Sequence, residues 1–376
     1  MGVIDGRLVL NTGPRGTTAA DTSSSLARLV DRVNELHDTP ELIVHKTEIV
    51  IVGGWTFSLD TMEVLQAKYN KLDLENAVDT DADEPMRTGD LTRARSQSSA
   101  AQSDTPRKHE LEWALAVNLI KSVLEKIDGL KSLEWETDLP FSKEIWAVIP
   151  ENIQKLSLNL FVPDVEELGE HDPHPDYFTH DDLMYLVNFK NLRSLRLYNM
   201  VESFQSIIWE TVWKNTDLTT LELEMRDDPI TRDGDNGGKR FPVIDDNWKY
   251  NTKRVAADKY RGRDGFGFLH HAYGYGEYLD CVAISKGRNA AMRTMGELNT
   301  LPLTTLRLGN FVVDDTSFAK YFDGLRKIVF TPKCADAGFV LPEKLNGKVN
   351  IFTRPTGMGK GGPSEVSVEM VSEAPA

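Results

Sequence analysis

Histidine and aspartate gather most densely in HDPHPDYFTHDD, where His171, His174 and His180 stand among several carboxylates. Imidazole and carboxylate donors at that density suit a divalent metal if the backbone brings them together. Prolines make the stretch a rigid connector instead, and Thr179 with Asp182 has the spacing of a capping box, so it reads as the entry to a helix. RDGDNGG opens like a calcium loop, but counted from Asp233 the position that needs a bidentate Glu is Ile244. RDGFGFLHH, 263–271, approaches the signature that stacks RNA bases on aromatic rings. There Asp264 takes the place of the basic residue and His271 that of the last aromatic, so Phe266 and Phe268 read as packing residues. GMGKGG and GPRGTT lack the spacing that cradles a triphosphate. No GxSxG, HExxH or paired Cys and His arrangement occurs. The sequence predicts no enzyme, no catalytic residue, no metal and no cofactor.

A second set of polar residues is placed by a repeating beat. NLRSLRLYNM carries Leu192, Leu195 and Leu197, and the same apolar-xxLxL pattern returns in LKSLEW, IQKLSL, LTTLEL, LTTLRL and LRKIVF. Weaker copies are TEIVIV, YNKLDL and GKVNIF. The last two apolar positions of each copy have the period of a half-buried strand. Between copies lie helical spacings, as in SFQSIIWETVW with Phe204, Ile207, Ile208 and Val212 on one face, and SKEIWAVI with Ile145, Trp146 and Ile149. Strand and helix alternating at intervals of roughly 21 to 26 residues predict an α/β leucine-rich-repeat solenoid, a horseshoe with parallel strands on its concave face and helices on its convex face. One repeat cannot bury its own leucines; stacked neighbours can.

The residues between the leucines then form the concave surface. Glu134, Glu136, Ser157, Asn159, Arg196, Tyr198, Glu222, Glu224 and Arg307 are the candidate partner-binding residues, expected to be solvated. As a set they lean acidic and include a Tyr, which suits a protein or peptide carrying basic groups.

Composition narrows the partners. The formal charge is -15, from 43 basic and 58 acidic residues, which repels phosphate backbones and anionic lipid. Two cysteines, Cys281 and Cys334, make no disulfide framework and no zinc pattern, which favours a reducing, cytoplasmic or nuclear setting. No apolar run approaches the ~18 to 20 residues that span a bilayer. Neither nucleic acid nor membrane is an expected partner.

SSLARLVDRVNELHDTPELIVHKTEIVIV, followed by irregular LxxLxL repeats and acidic loops, resembles the leucine-rich-repeat portion of F-box-type proteins of filamentous fungi. That resemblance implies ubiquitin-ligase substrate recognition: an F-box docks a Skp-type adaptor and the repeats hold the substrate. LPFSKEIWAVIPENIQKL, 139–156, mimics an F-box opening but runs directly into the strand of Leu156 and Leu158 and reads as a repeat element. A Skp-type adaptor is expected only if an F-box is present.

The chain divides into N-terminal repeats at 1–75, a disordered insertion at 76–108, the main array at 109–354 and a disordered tail at 355–376. A polar, Gly-rich insertion interrupts the array at 226–275. The function expected is a non-enzymatic protein-interaction scaffold, in its narrower form a diverged or truncated F-box-like substrate receptor. The alternative is a repeat-fold protein that binds or acts on a small ligand at 226–275, in a pocket of His270, His271 and Tyr273.

Overall fold

A computed structural model of the chain describes residues 6–13, 24–55, 108–161, 179–201, 203–229, 241–252, 277–331, 333–354 and 365–371. It is an α/β structure built on a ten-stranded, mostly parallel sheet that does not close into a barrel. The strands lie side by side in chain order: β1 (Arg7–Asn11), β2 (Glu48–Gly53), β3 (Ser132–Thr137), β4 (Lys155–Asn159), β5 (Ser194–Met200), β6 (Thr220–Met225), β9 (Thr305–Gly309), β11 (Lys327–Phe330) and β13 (Asn350–Thr353). At the far edge β14 (Val366–Ser367) adds on antiparallel to β13. The short strands β7 (Val243–Ile244), β10 (Val312–Val313) and β12 (Cys334–Asp336) form a separate three-stranded sheet, and β8 (Tyr250–Asn251) pairs with β15 (Met370–Val371).

The register explains why the leucine beat recurs. Leu156 pairs with Leu195, Leu195 with Leu221, Leu221 with Leu306 and Leu306 with Ile328, so one row of apolar side chains crosses the sheet. Leu158, Leu197, Leu223, Leu308 and Phe330 make the next row. All ten are fully buried in one apolar core. The same core holds the inner faces of α1 (Ser25–Asp38), α2 (Lys108–Leu124), α4 (Gln205–Lys214) and α5 (Cys281–Met295). Alternation along each strand therefore sends the leucines toward the helices and the residues between them to the opposite, polar face.

The connectors follow local chemistry. SKEIWAVI forms a 3-10 turn, Lys143–Val148, capped by the Ser142 hydroxyl, and buries Ile145 and Trp146 before β4 begins. The F-box-like stretch is thus a connector that delivers the chain to a strand. Thr179 and Asp182 make the expected capping box at the one-turn helix α3 (His180–Leu183). Gly287 on α5 faces the backbone of Trp209 and Glu210 on α4, where a Cβ would collide, so it sets how closely these helices approach. Asn199 and Asn310 turn the chain in left-handed conformations just past the leucines of β5 and β9, a backbone state that Asn tolerates.

Two expectations need adjustment. Residues 365–371, placed in a disordered tail, form β14 and β15. Their backbone meets open pairing positions: Val368 N–H donates to Ile351 O at 2.9 Å, and Glu369 O accepts from Tyr250 N–H at 3.1 Å. The described middle of the 226–275 insertion differs from a simple loop, since its β7 and β8 pair with β12 and β15. The 76–108 insertion up to Arg107, YNKLDL, and His171 and His174 lie outside the described residues, as do Phe266, Phe268, His270, His271 and Tyr273.

Candidate functional site: the polar face of the sheet

The expected site residues come together on one face. In its central row Val50 of β2 pairs with Glu134, Glu134 with Ser157, Ser157 with Arg196, Arg196 with Glu222 and Glu222 with Arg307. One step along the strands, Glu136 pairs with Val52, Asn159 with Tyr198, and Glu224 with Gly309. All nine candidates thus share this surface.

Their environment is not the solvated one expected. Glu134, Ser157, Asn159, Tyr198 and Glu222 retain only 9, 3, 1, 9 and 8 % of their exposure. Strands about 4.8 Å apart hold long neighbouring side chains close enough to shield one another, and ionic pairing draws them flat against the sheet. Glu134 takes Arg7 from β1 at 3.3 Å and Lys155 from β4. Glu136 accepts from Arg196 Nη1 at 3.2 Å. Glu222 lies 3.2 Å from Arg196 Nε and 3.6 Å from Arg307 Nη1, the first contact being an ion pair without hydrogen-bond alignment. Acid and base alternate across the rows, and the acidic lean is largely neutralised within the face.

Two of the nine serve the fold. Asn159 donates to Thr137 O at 2.8 Å and accepts from Phe161 N–H and from Asn199 Nδ2, which stitches β3, β4 and β5 together where the strands end. Tyr198 donates its hydroxyl to Trp135 O at 3.3 Å and carries the Arg196 guanidinium 4.3 Å over its ring. That stacking fixes the arginine between Glu136 and Glu222.

Two others are left with unused capacity. Ser157 Oγ, buried in the middle of the central row, has no hydrogen-bond partner among the described residues. Glu224 makes no hydrogen bond or ion pair there. Burial pushes its carboxyl above the ordinary range, Glu222 pushes it further, and the charges of Arg196 and Arg354 pull it back.

Sequence reasoning missed six charged residues of this face: Arg7, Glu48, Lys155, Lys327, Arg354 and Glu365. Lys155 and Lys327 immediately precede the first inward apolar residue of their strands, Leu156 and Ile328, so the alternation that placed Arg196 also places them. Arg354 follows Thr353 by the same rule. Glu365 had no such signal, because it reaches the face from the end of the chain, where it joins Arg307 Nη2 at 3.0 Å and Lys327.

A second polar cluster packs beneath α5. The Tyr278 hydroxyl donates to Asp314 Oδ2 at 2.7 Å, while Asp314 Oδ1 accepts from Thr316 and Ser317. Asp280 caps α5 through Val282 N–H. Burial raises the pKa of Tyr278 and of the adjacent Cys281 thiol, so neither is activated. The network ties Tyr278 and the start of α5 to the segment after β10, which makes it a fastening between them. Among the described residues no group of His, Cys, Asp or Glu could hold a metal ion, and no helix is long and apolar enough to cross a membrane. Comparisons of the chain with protein-family models, with curated proteins and with solved structures found no match.

Proposed function

We propose that this chain is a protein-interaction scaffold of leucine-rich-repeat type, and that the polar face of its parallel sheet is the concave, partner-binding surface of a solenoid. The observation that carries the reading is the in-register row Glu134, Ser157, Arg196, Glu222 and Arg307, five polar side chains laid side by side across five strands. Solenoids use such extended faces for binding because neighbouring repeats present their inter-leucine residues in parallel. The chain-order strand sequence, the paired leucine rows and the Asn-turned strand ends all favour the same architecture. A catalytic reading finds no support in this row, whose one hydroxyl, Ser157 Oγ, is hydrogen-bonded to no base among the described residues.

The narrower form of the proposal is a diverged F-box-like substrate receptor of a ubiquitin ligase. It rests on the resemblance of the repeat texture alone, since 139–156 is occupied by a strand connector.

The test is affinity purification from the native cell, followed by amine-reactive crosslinking and mapping of the linked lysines. Lys155 has a side chain 51 % exposed on this face and Lys327 one 31 % exposed. Crosslinks from these two to a partner are the expected result. Partner crosslinks confined to lysines of the helical side would overturn the assignment of the face, and recovery of a Skp-type adaptor would decide the ligase role.

A further inference from the structure

One end of the polar face is unlike the rest. Strands β9, β11 and β13 contribute no carboxylate to it. They and the residue that follows contribute three cations, Arg307, Lys327 and Arg354. Lys327 lies 4.8 Å over the ring of Phe352, and Val329, in register between Arg307 and Phe352, is fully buried although it points away from the core. The Nε donors of Arg307 and Arg354 are buried with no hydrogen-bond acceptor among the described residues. Cations on an apolar floor, with donors unfilled, are complementary to an extended chain bearing carboxylates.

Such a chain is already seated there. Glu365 joins both Arg307 and Lys327, and the backbone behind it runs antiparallel along β13, with Val366 opposite Thr353 and Ser367 opposite Phe352. Residues 365–367 themselves are lightly held, since β14 is two residues long and both are exposed, whereas Val368 packs on the core and β15 pairs with β8. Few ladder bonds and little apolar burial put a segment at the low-stability end of a fold.

We propose that the Arg307, Lys327 and Arg354 end of the sheet is a binding site for an extended acidic peptide segment of a partner protein, and that residues 365–367 occupy it in cis as a displaceable stand-in. The partner adds a strand to the edge of β13 and places a carboxylate between Arg307 and Lys327, displacing Glu365. The site deepens the scaffold reading and rests on it for a biological partner, although its chemistry is tested without one. An acidic peptide is favoured over nucleic acid because the occupant in place is a carboxylate on an extended backbone, and because the chain's charge of -15 opposes a phosphate polymer.

The probe is a fluorescent synthetic heptapeptide, EVSVEMV, which copies 365–371, titrated against the full-length chain by anisotropy. Glu365→Ala loosens the stand-in and should bind the peptide about tenfold more tightly than wild type, because an attached segment competes at high effective concentration. Adding Lys327→Glu to Glu365→Ala should abolish binding, as should replacing both peptide glutamates by glutamine. Equal affinity of wild type and Glu365→Ala, equal binding of the glutamine peptide, or displacement by an unstructured oligonucleotide at low concentration would each overturn the proposal. Hydrogen exchange on the wild-type chain keeps the test independent of any variant's folding. The Val368 amide, bonded to Ile351 O, should exchange far faster than the Thr331 amide bonded to Leu308 O; equal protection would make 365–371 a fixed cap. Peptide failure with partner crosslinks at Lys155 would sink this site and leave the scaffold standing, and peptide binding without such crosslinks would do the reverse.

Discussion

Removing the charge of Glu222 should destabilise the protein even though the residue lies on the face away from the core. Its carboxylate, with a side chain only 11 % exposed, holds Arg196 of β5 on one side and Arg307 of β9 on the other. In Glu222→Gln both attractions are lost, and the two guanidinium groups, on strands two apart or about 10 Å, are left with no carboxylate between them. A fully buried pair broken on one side costs about 3–5 kcal/mol. Here the arginines remain 32 and 27 % exposed, so each contact is discounted to about 0.5–1 kcal/mol. The repulsion between the arginines is present in wild type and variant alike, so it cancels and the loss is that of the two attractions. The expected loss is about 1–2 kcal/mol for Glu222→Gln and more for Glu222→Lys, which adds a third cation. Urea unfolding at low salt measures it, and the deficit should shrink as salt screens the attractions that the wild type makes. In an Arg196→Met background the cost of Glu222→Gln should fall by about 1 kcal/mol, the coupling expected of residues in one ion-pair network. A Glu222→Gln protein within about 0.5 kcal/mol of wild type, the range of ordinary surface changes, would show that the row is solvated and that its pairing does not organise the face.

Four shorter predictions accompany it. Leu221→Ala, at the centre of the inward row, should cost about 2–5 kcal/mol in urea unfolding, and Leu221→Asp should abolish the cooperative transition, since it buries an unpaired charge. Gly287→Ala should cost about 1–3 kcal/mol, because its Cβ would meet the α4 backbone; a neutral result in thermal melts would mean that α4 and α5 part easily. Glu224→Gln should stabilise the protein at neutral pH: burial raises the folded-state pKa of Glu224, so its contribution is most favourable below the unfolded value and is lost as pH rises through the folded one. The gain over wild type should vanish in acid, and a gain that grows as pH falls would reverse the sign argued here. Cys334, with its thiol pushed up to about 12 by burial, should resist a thiol reagent at neutral pH until the chain unfolds.

The strands were legible because their physics is local. Each apolar-xxLxL copy carries its own period of two, and the leucines that satisfy it are the ones that pair in register, from Leu156 to Ile328. β1 was missed because RLVLN lacks the leading apolar residue of the pattern, although Leu8 and Leu10 alternate inward as the others do. SKEIWAVI shows the limit of helical spacing in a short connector. Ile145, Trp146 and Ile149 are buried as expected, but the seven residues between the Ser142 cap and Pro150 leave room only for a 3-10 turn.

The polar face was legible as a set of positions and misread as a surface, because exposure there depends on what stands on the neighbouring strand. Arg196 alone reads as a solvated cation; with Glu136 and Glu222 in register beside it and Tyr198 beneath it, it becomes the centre of a packed ionic layer. The same pairing changes what the face selects. From β1 to Arg354 it carries six cations (Arg7, Lys155, Arg196, Arg307, Lys327 and Arg354) against five carboxylates (Glu48, Glu134, Glu136, Glu222 and Glu224). A chain with a formal charge of -15 therefore keeps its excess acid off this surface. The carboxylates concentrate on β2, β3 and β6, where bases from neighbouring strands neutralise most of them, whereas β9, β11 and β13 supply only bases. A basic partner would have to break ion pairs at Glu134 and Glu222 in order to bind, while an acidic one needs only to replace Glu365.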